Sequence, residues 1–290
     1  MPTIESKSVI VGIILYNPNI ERLTSNLDAI ISDADSILFI DNASKNITDI
    51  QVLAKKKSIN LISNSENLGL PRVFNSMIKY ANEHKYGNLL LLDQDSICER
   101  NLISAYKEYV SENYVCLTPR IVHRLKEYEE KYGTKTFSAQ NEIVSESINS
   151  GTLINLNVLP HDVRFNEKLF VDCVDFDFFI QLKKKKLKVL RINSTSLFCD
   201  LGNLKVHYLF RKSFFTNNYS VFRLEKQARD RVVFVLSHVT DGLAREVFCH
   251  SLLGYLMIVL FEKQKKSKLF AVFKGVIKGF VALLRKKPCL

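Results

Sequence analysis

The amino-acid sequence predicts an α/β fold, with helices on both faces of a mainly parallel sheet and a helical, basic region after it. Over the first 120 residues, short apolar runs alternate with segments of helical periodicity, the rhythm of a parallel sheet with crossover helices. The run NLLLL (88–92) is almost entirely apolar, as expected for a strand buried on both faces. The chain has 290 residues, 47% hydrophobic and 24% charged, enough for one large or two modest domains.

Four strands are predicted from the apolar runs VIVGIILY (9–16), SILFI (36–40), NLIS (60–63) and NLLLL (88–92). Three helices are predicted between them: one with Ile20, Leu23, Leu27 and Ile30 on a face, one with Ile50 and Leu53, and one that Pro71 opens. Lysines 55–57 close the second helix, where positive charge suits the helix dipole. Because parallel sheets bind ligands at the carboxyl ends of their strands, we look for a site in the loops that follow.

Beyond the fourth strand the sequence changes character twice. It turns polar over 121–147, which indicates an exposed excursion, and apolar patterning resumes at 147–155, 169–182 and 187–192. After about residue 200 it becomes rich in aromatic residues, Arg and Lys, and we expect helices to the end. We therefore predict a ligand-binding catalytic domain at 1–205 and a helical C-terminal region at 206–290.

Composition limits the class of protein. The net charge of +11 implies an anionic partner, which is nucleic acid, a nucleotide or a membrane surface. The six cysteines are scattered without a Cys-x-x-Cys pair, so we expect reduced thiols in a cytosolic protein. The longest uncharged apolar run, 247–261, is roughly fifteen residues, whereas a spanning helix needs about twenty. The sequence does not establish a transmembrane segment.

Two carboxylates follow the fourth strand, in Asp93-Gln94-Asp95-Ser96. Acids at i and i+2, where a buried strand opens into a loop, can turn toward one hard cation. Mg²⁺ and Mn²⁺ favour oxygen ligands, and Mg²⁺ commonly completes its shell with substrate phosphates. The alternative is a helix cap beside a solvated loop acid. The position at a strand end favours the metal.

Polar loops follow the other strands as well. Asp41-Asn42-Ala43-Ser44, after the second strand, places an acid like the ribose- or base-binding acid of nucleotide folds. The first crossover, Tyr16-Asn17-Pro18-Asn19, has no glycine, which argues against an NAD or FAD enzyme. Asn67-Leu68-Gly69, with Asn75 in the next helix, adds a third polar loop at the same edge.

A second acidic group, Asp172, Asp175 and Asp177, is embedded in VDCVDFDFF. If a helix begins near Asp175, acids in its first turn suit the dipole, and capping accounts for one of them. Partly buried carboxylates need partners or raised pKa values. One of the three can act as a general base on an attacking hydroxyl; a structural role is the alternative.

Taken together, YNPN, IDNAS, NLGLPRVFN, DQDS and VDCVDFD resemble, in order and spacing, the family 2 glycosyltransferases with the GT-A fold, over about residues 8–200. The resemblance implies a Rossmann-like GT-A domain, a nucleotide-sugar donor and Mg²⁺ or Mn²⁺ held by Asp93 and Asp95. It implies Asp175 as the catalytic base, with Asp172 and Asp177 as supporting acids. The implied nucleotide-binding residues are Tyr16, Asn17, Asp41, Asn42, Asn67, Gly69, Asn75 and Asp93. Diphosphate or acceptor contacts are expected from Arg72, Arg223 and Arg229.

A further stretch, SVFRLEKQARD (220–230), is similar to the Ser-Pro-Phe-Arg-x-Tyr-Tyr-x-x-Arg-Asn signature of bacterial rhamnosyltransferases. Matches occur at Ser220, Phe222, Arg223 and Arg229, and departures at Val221, Glu225, Lys226 and Asp230. This similarity implies inverting transfer of L-rhamnose from dTDP-rhamnose to a saccharide or lipid-linked saccharide, in bacterial cell-surface polysaccharide synthesis. The related His-x-Leu-Gly element appears as Cys199-Asp200-Leu201-Gly202, with Asp200 or His207 as candidates to replace its histidine.

The positive charge is concentrated near the C-terminus. Lys263, Lys265, Lys266 and Lys268 lead into a helical pattern over 269–287, whose apolar face is Phe270, Phe273, Ile277, Phe280, Val281 and Leu284. A basic amphipathic helix can lie in an anionic membrane interface. Packing onto the catalytic domain or into a homo-oligomer is the alternative. We therefore expect a cytoplasmic protein, peripheral on the inner face of the cytoplasmic membrane.

Three other functions stay open on the sequence. One is a family member that uses another UDP- or dTDP-sugar. Another is a family member that has lost activity and serves as an assembly partner. The last is nucleic-acid binding through the basic runs, but no nucleic-acid motif accompanies them, and the acidic loops would repel phosphate unless a metal intervened. No nucleic-acid partner is therefore expected.

Overall fold

The computed structural model describes residues 5–110, 113–124, 130, 140–199, 204–209 and 212–284. The chain divides into two compact units. The first comprises residues 1–165 and 178–200, and the second comprises residues 166–177 and 201–290. The acidic segment therefore groups with the C-terminal helices, whereas the predicted boundary lies at 205/206.

Within the described residues, the first unit contains nine strands and most of the shorter helices. The strands are β1 Glu5–Leu15, β2 Ser36–Asp41, β3 Asn60–Ser63, β4 Tyr86–Asp93, β5 Ile97–Cys98, β6 Cys116–His123, β7 Glu142–Val144, β8 Leu153–Asn155 and β9 Val189–Cys199. The helices are α1 Ile20–Leu27, α2 Ile47–Lys56, α3 Leu70–Glu83 and α4 Leu102–Lys107, and α5 Val174–Lys184 begins in the second unit's segment.

All nine strands form one sheet in the order β3-β2-β1-β4-β8-β6-β9-β5, with β7 paired to β9. The four strands from β3 to β4 are mutually parallel. β8 is antiparallel to both β4 and β6, and β6 is parallel to β9. The predicted α/β class, with a mostly parallel sheet and helices, is confirmed.

Strand β1 forms the centre of the parallel half. Its Val9, Ile10 and Val11 are fully buried, which requires cover on both faces of the sheet. Gly12 is needed because a Cβ there would lie 2.7 Å from the Met77 sulfur of α3. This close packing places α3 directly against β1.

The second unit begins with a strand pair and continues with helices. β10 Lys205–Leu209 and β11 Lys212–Thr216 form an antiparallel pair, followed by α6 Val221–Ser237, α7 Gly242–Phe261 and α8 Lys265–Leu284. The expectation of helices from about residue 200 is therefore wrong for 205–216. The density of aromatic and β-branched residues there, such as Val206, Tyr208 and Phe214, favours strands.

Helix α8 packs on α6 through a stripe of small residues. A Cβ at Gly275 would lie 2.3 Å from the Glu225 carbonyl oxygen, and one at Gly279 would lie 2.8 Å from the Arg229 carbonyl oxygen. The two backbones therefore approach closely, as small-residue helix interfaces allow. The predicted apolar face of this helix lies elsewhere on its circumference and is exposed: Phe270, Phe273, Ile277, Phe280, Val281 and Leu284.

Within the described residues, one helix is long and apolar enough to cross a membrane. It is α7, with 20 residues, a mean hydropathy of 1.5 and 28% of its most apolar window buried. This helix is longer than the uncharged apolar run at 247–261 because it begins five residues earlier, at Gly242. Asp241 caps it there by accepting the Leu243 amide. Length and composition alone are weak support for a span.

Candidate active site

The strand order brings several loops together at one edge of the first unit's sheet. β1 has β2 on one side and β4 on the other, so the chain connections lead away from the β1–β4 pair in opposite directions. In open α/β sheets, ligands bind in the crevice at such a switch point. The register pairs Asp93 with Ile14 and Asp41 with Leu15. The ends of β4, β1 and β2 are therefore level.

The two acids at the end of β4, Asp93 and Asp95, lie at a turn that hydrogen bonds hold in place. Asp93 ends the strand, and residues 94–95 form the turn. Gln94 Oε1 accepts the Tyr16 amide at 2.7 Å, and Gln94 Nε2 donates to the Tyr16 carbonyl at 3.2 Å. Arg22 donates to the Asp95 carbonyl at 2.8 Å. Because these bonds use backbone atoms and the Gln94 amide, the Asp93 and Asp95 side chains stay exposed.

The loop after β2 is closed by its own side chains. Asp41 is 1% exposed, and both of its carboxylate oxygens accept the Ser44 amide, at 3.1 and 3.2 Å. Ser44 Oγ in turn accepts the Asn17 amide at 2.7 Å, which ties this loop to the one after β1. Ala43 has a φ of 68°, a left-handed conformation that costs an alanine about 1 kcal/mol. Direct contact between Asp41 and a nucleotide stays a prediction.

Asn42 connects the β2 loop to the start of α3. Its side chain, 2% exposed, donates to Asn67 Oδ1 at 2.8 Å and accepts the Leu68 amide at 2.9 Å. Asn67 also accepts the Gly69 amide at 3.0 Å. Gly69 precedes α3 with a φ of 82°, a conformation that favours glycine. The structure thus brings predicted residues from three loops into one hydrogen-bonded network.

Two predicted residues lie further along α3. Arg72 is exposed in the first turn. Asn75 bonds the backbone of Phe165 in both directions, at 2.9 and 3.0 Å. Its amide therefore anchors the segment before residue 166, and a contact with nucleotide stays a prediction.

The chemistry of this edge suits a hard divalent cation. Asp93 at the end of β4 and Asp95 two residues further on are exposed, and carboxylate oxygens are the ligand type that Mg²⁺ and Mn²⁺ take. Among the residues that the structure describes, no three His, Cys, Asp or Glu side chains converge on a common point. A cation at this turn would therefore need further ligands from water or from a bound phosphate.

In the second unit, side chains of α6 hold the acidic segment. Arg231 Nε donates to Asp172 Oδ2 at 2.7 Å, and Gln227 donates to Asp172 Oδ1 at 3.3 Å. His238, at the C-terminal end of α6, pairs with Asp177 at 2.9 Å, and both are buried. Asp172 and Asp177 therefore have structural partners, as expected for partly buried carboxylates.

Asp175 lies in the first turn of α5, as predicted, and is partly exposed. Its Oδ1 accepts the Phe176 amide at 2.9 Å. Just before the helix, Cys173 has a φ of 59°, which is uncommon for a residue with a side chain. Strained backbone of this kind persists where neighbouring bonds over-determine it, and it clusters at functional sites.

Asp230 supplies the bonds that hold this strained segment. One of its carboxylate oxygens accepts the amides of three successive residues, Phe170, Val171 and Asp172, at 2.7–3.0 Å. The other accepts Arg229 Nη1 at 2.6 Å. Burial raises the pKa of the Asp230 carboxyl to about 6, although the three amides and Arg229 act to lower it. Burial is the larger effect.

The signature at 220–230 has structural uses within the second unit. Ser220 caps α6 by accepting the Arg223 amide, and the Arg223 guanidinium lies 4.5 Å from the centre of the Tyr219 ring. Phe222 meets the Phe170 ring edge-on. Arg229 pairs with Asp230. These contacts show how the segment folds, and contacts of Arg223 or Arg229 with substrate stay predictions.

Of the element Cys199-Asp200-Leu201-Gly202, only Cys199 lies within the described residues. Cys199 ends β9, whereas 200–202 lie outside the described residues. His207 Nε2 shares a hydrogen bond with Thr216 Oγ1 at 2.8 Å, and its ring stacks on Phe261. His207 is therefore engaged inside the second unit.

Sequence reasoning missed several residues that position the site. Ser150 Oγ accepts the Asp93 amide at 3.1 Å and shares a hydrogen bond with Ser96 Oγ. Gly151 beside it is required, because its φ is 82° and a Cβ would lie 2.8 Å from Pro119. Asp230 and Arg231 were also missed. The Ser-Gly pair at 150–151 and the Arg-Asp-Arg run at 229–231 were the available signals.

Comparison with known proteins identifies the family. The model of glycosyl transferase family 2 matches residues 8–187, a range that includes most of β1, the strands β2 to β4, the turn at Asp93 and the acidic segment. The dTDP-rhamnosyl transferase RfbF of Shigella flexneri is 24% identical over 261 residues, which is 81% of this chain and 88% of that protein.

Solved structures agree on the fold. The mannosyltransferase PcManGT from Pyrobaculum calidifontis, in complex with GDP-Man and Mn²⁺, aligns with a TM-score of 0.54 at 14% identity, over 97% of this chain and 76% of that one. GalNAc-T7, solved with UDP, GalNAc and Mn²⁺, aligns with a TM-score of 0.53 at 12% identity over 70% of this chain, and the match spans 44% of that longer chain. The fold is that of the GT-A glycosyltransferases, and the chain belongs to glycosyl transferase family 2.

Proposed function

We propose that this protein transfers a sugar from a nucleotide diphosphate donor to a hydroxyl group of a saccharide acceptor. The observation that carries the proposal is the network at the β1–β4 switch point. Loops after β1, β2, β3 and β4 are bonded to one another there, and they leave the carboxylates of Asp93 and Asp95 exposed. Family membership supports the same activity.

The donor nucleotide binds, in this proposal, along the loops after β1 and β2. Asp41 and Asn42 are buried and bonded within the loops, so their main role is to hold the loop backbone in place. The Tyr16 ring is 45% exposed at the end of β1 and offers a face on which a base can stack. Asn67 and Gly69 hold the start of α3, where Arg72 offers positive charge to the diphosphate.

Asp93 and Asp95 would hold Mg²⁺ or Mn²⁺, and such an ion, when bound, neutralises charge on a diphosphate leaving group. Both solved neighbours described above contain Mn²⁺. The bonds from Gln94, Arg22 and Ser150 hold the turn without using the carboxylate of Asp95. The two acids are therefore pre-positioned for a cation.

The proposed reaction is a single displacement with inversion. The acceptor oxygen forms a bond to the anomeric carbon as the bond from that carbon to the diphosphate oxygen breaks, and the nucleoside diphosphate leaves. The hydroxyl proton passes to the Asp175 carboxylate, which acts as general base. Arg231 and His238 hold Asp172 and Asp177 on either side of it in sequence, which fixes the backbone that carries Asp175.

We propose L-rhamnose from dTDP-rhamnose as the transferred sugar, with a saccharide or lipid-linked saccharide of a bacterial cell-surface polysaccharide as acceptor. The dTDP-rhamnosyl transferase of Shigella flexneri, 24% identical over most of the chain, supports this choice. The four matching residues of the 220–230 signature support it as well.

A donor panel tests the proposal. The full chain is incubated with Mn²⁺ and each of several dTDP-, UDP- and GDP-sugars, and release of nucleoside diphosphate is measured with and without saccharide acceptors. We expect dTDP-rhamnose to be used best. Preference for another sugar would overturn the donor assignment, whereas no release from any donor, together with salt-dependent binding to DNA or RNA, would overturn the transferase itself.

Substitution of Asp175 tests the proposed base. Asp175→Asn should lower the rate of transfer by about 10²–10⁴-fold with the donor KM little changed. Asp49→Asn, an exposed acid in the first turn of α2, is the matched control and should keep full activity. Equal activity in both variants would refute the role of Asp175.

A further inference from the structure

The outward faces of α7 and α8 are apolar and uncovered. Of the 22 exposed large apolar side chains among the described residues, thirteen lie on these two helices. On α7 they are Phe248, Leu252, Leu253, Leu256, Val259 and Leu260, and on α8 they are Leu269, Phe270, Phe273, Ile277, Phe280, Val281 and Leu284. An apolar surface of this extent marks an interaction site.

Packing within the second unit causes this exposure. α8 turns Ala271, Gly275 and Gly279 toward the protein, and the glycines are too close to the α6 backbone to carry side chains. The phenylalanines of α8 therefore project outward, while its opposite face packs closely on α6. On α7, Val247 and Ile258 are buried, and the leucines at 252, 253 and 256 are outside.

Positive charge accompanies the apolar faces. Lys263, Lys265 and Lys266 are all exposed where α7 passes into α8, and α8 contains no acidic residue. Cations at a helix N-terminus oppose the helix dipole, so the lysines at 265 and 266 do not stabilise α8. Lys265 Nζ donates to the Leu260 carbonyl at the end of α7 at 3.4 Å, and the exposed cluster that it forms with Lys263 and Lys266 favours an external anion.

We propose that the outer faces of α7 and α8 dock on an anionic lipid bilayer. The phenylalanines and leucines enter the boundary between headgroups and acyl chains, and the three exposed lysines bind lipid phosphates. The docking is peripheral, because the inner faces of both helices remain packed within the second unit and Lys274 and Lys278 are paired with Glu225. A second copy of the chain is disfavoured as occupant, since it would bring its own lysines to the same surface.

Vesicle binding by the full chain tests this surface independently of donor chemistry. The probes are phosphatidylcholine vesicles with and without phosphatidylglycerol, and bound protein is measured by co-sedimentation. We expect binding to the anionic vesicles that weakens with salt. Phe273→Glu combined with Phe280→Glu should weaken binding by at least about 100-fold. Val52→Glu, on an exposed apolar residue of α2, is the matched control and should bind as wild type.

A second variant separates charge from apolar contact. Changing Lys263, Lys265 and Lys266 to Gln should weaken binding to anionic vesicles by about fivefold per lysine and leave binding to neutral vesicles unchanged. All variants are checked for wild-type circular dichroism. The proposal is overturned if wild type ignores anionic vesicles, or if the double glutamate variant binds them as wild type does. It is also overturned if sedimentation shows a dimer that this variant dissociates, because the surface then belongs to a second copy.

Discussion

At the scale of single residues, Asp230 and Arg231 determine the conformation of the acidic segment. Asp230 accepts three successive backbone amides, and Arg231 holds Asp172, so two neighbouring residues of α6 fix the backbone directly before the strained Cys173. A base must be held within a few tenths of an ångström of its productive position. These two residues act through that backbone and are positioning residues.

Arg231→Met should loosen the segment without removing an acid. The Arg231 and Asp172 side chains are 23% and 25% exposed, so loss of the pair should lower the free energy of unfolding by about 2 kcal/mol. We expect the maximal rate to fall while the donor KM stays close to wild type. Arg245→Met, an exposed arginine of α7, is the control. A change in KM alone would contradict a positioning role.

The pKa of Asp230 gives a pH dependence with a definite sign. Burial raises it from 3.8 to about 6, so the folded chain binds this proton more tightly than the unfolded chain. Its contribution to stability is therefore greatest below about pH 4, falls toward about pH 6 and is constant above. As pH rises from about 4 to about 6, the unfolding free energy of wild type minus that of Asp230→Asn should therefore fall. A difference that grows with pH would mean that the amides and Arg229 outweigh burial.

At the scale of elements, the close contact between α6 and α8 leaves no room for a side chain at Gly275. Gly275→Ala places a Cβ against the Glu225 carbonyl, so we expect the free energy of unfolding to fall by about 2 kcal/mol and protease cleavage within α8 to accelerate. Gly254→Ala is the matched control: nothing lies within 4 Å of its Cβ, and alanine should stabilise α7 by about 0.5–1 kcal/mol. Equal effects of the two changes would contradict the close approach.

The elements also show what the sequence could predict. Three of the first four strands, β1, β2 and β4, followed from apolar runs because burial on both faces leaves a strong pattern. The edge strand β3 is largely exposed and followed only from its short run and its place in the alternation. The strand pair at 205–216 was missed, since short aromatic-rich segments lack a period that separates strand from helix. Asp93 and Asp95 stood out because they follow a buried apolar strand, whereas Asp175 was identified by the resemblance of its segment to that of the family. The partners Ser150 and Asp230 lie 57 and 60 residues from the atoms they hold, and no local pattern reveals such pairings.

At the scale of the whole molecule, the acidic residues of the proposed cation site and the basic, apolar surface proposed for membrane docking lie in different parts of the chain. The net charge is +11, yet the switch-point edge presents Asp93 and Asp95, and the exposed lysines at 263, 265 and 266 lie beside the apolar faces of α7 and α8. The proposed cation site would therefore lie in the first unit, and the docking surface in the second, which also contains the proposed base Asp175. Loss of either should leave the other measurable.

Metal-dependent cleavage of the donor tests the central claim most directly. Release of dTDP from dTDP-rhamnose is measured for wild type and for Asp95→Asn, each with Mn²⁺ and then with a chelator in excess. We predict release by wild type that the chelator abolishes and a second addition of Mn²⁺ restores. Asp95→Asn should be slower by at least about 100-fold. Release that survives both the chelator and the substitution would contradict a metal-assisted transferase site at the end of β4.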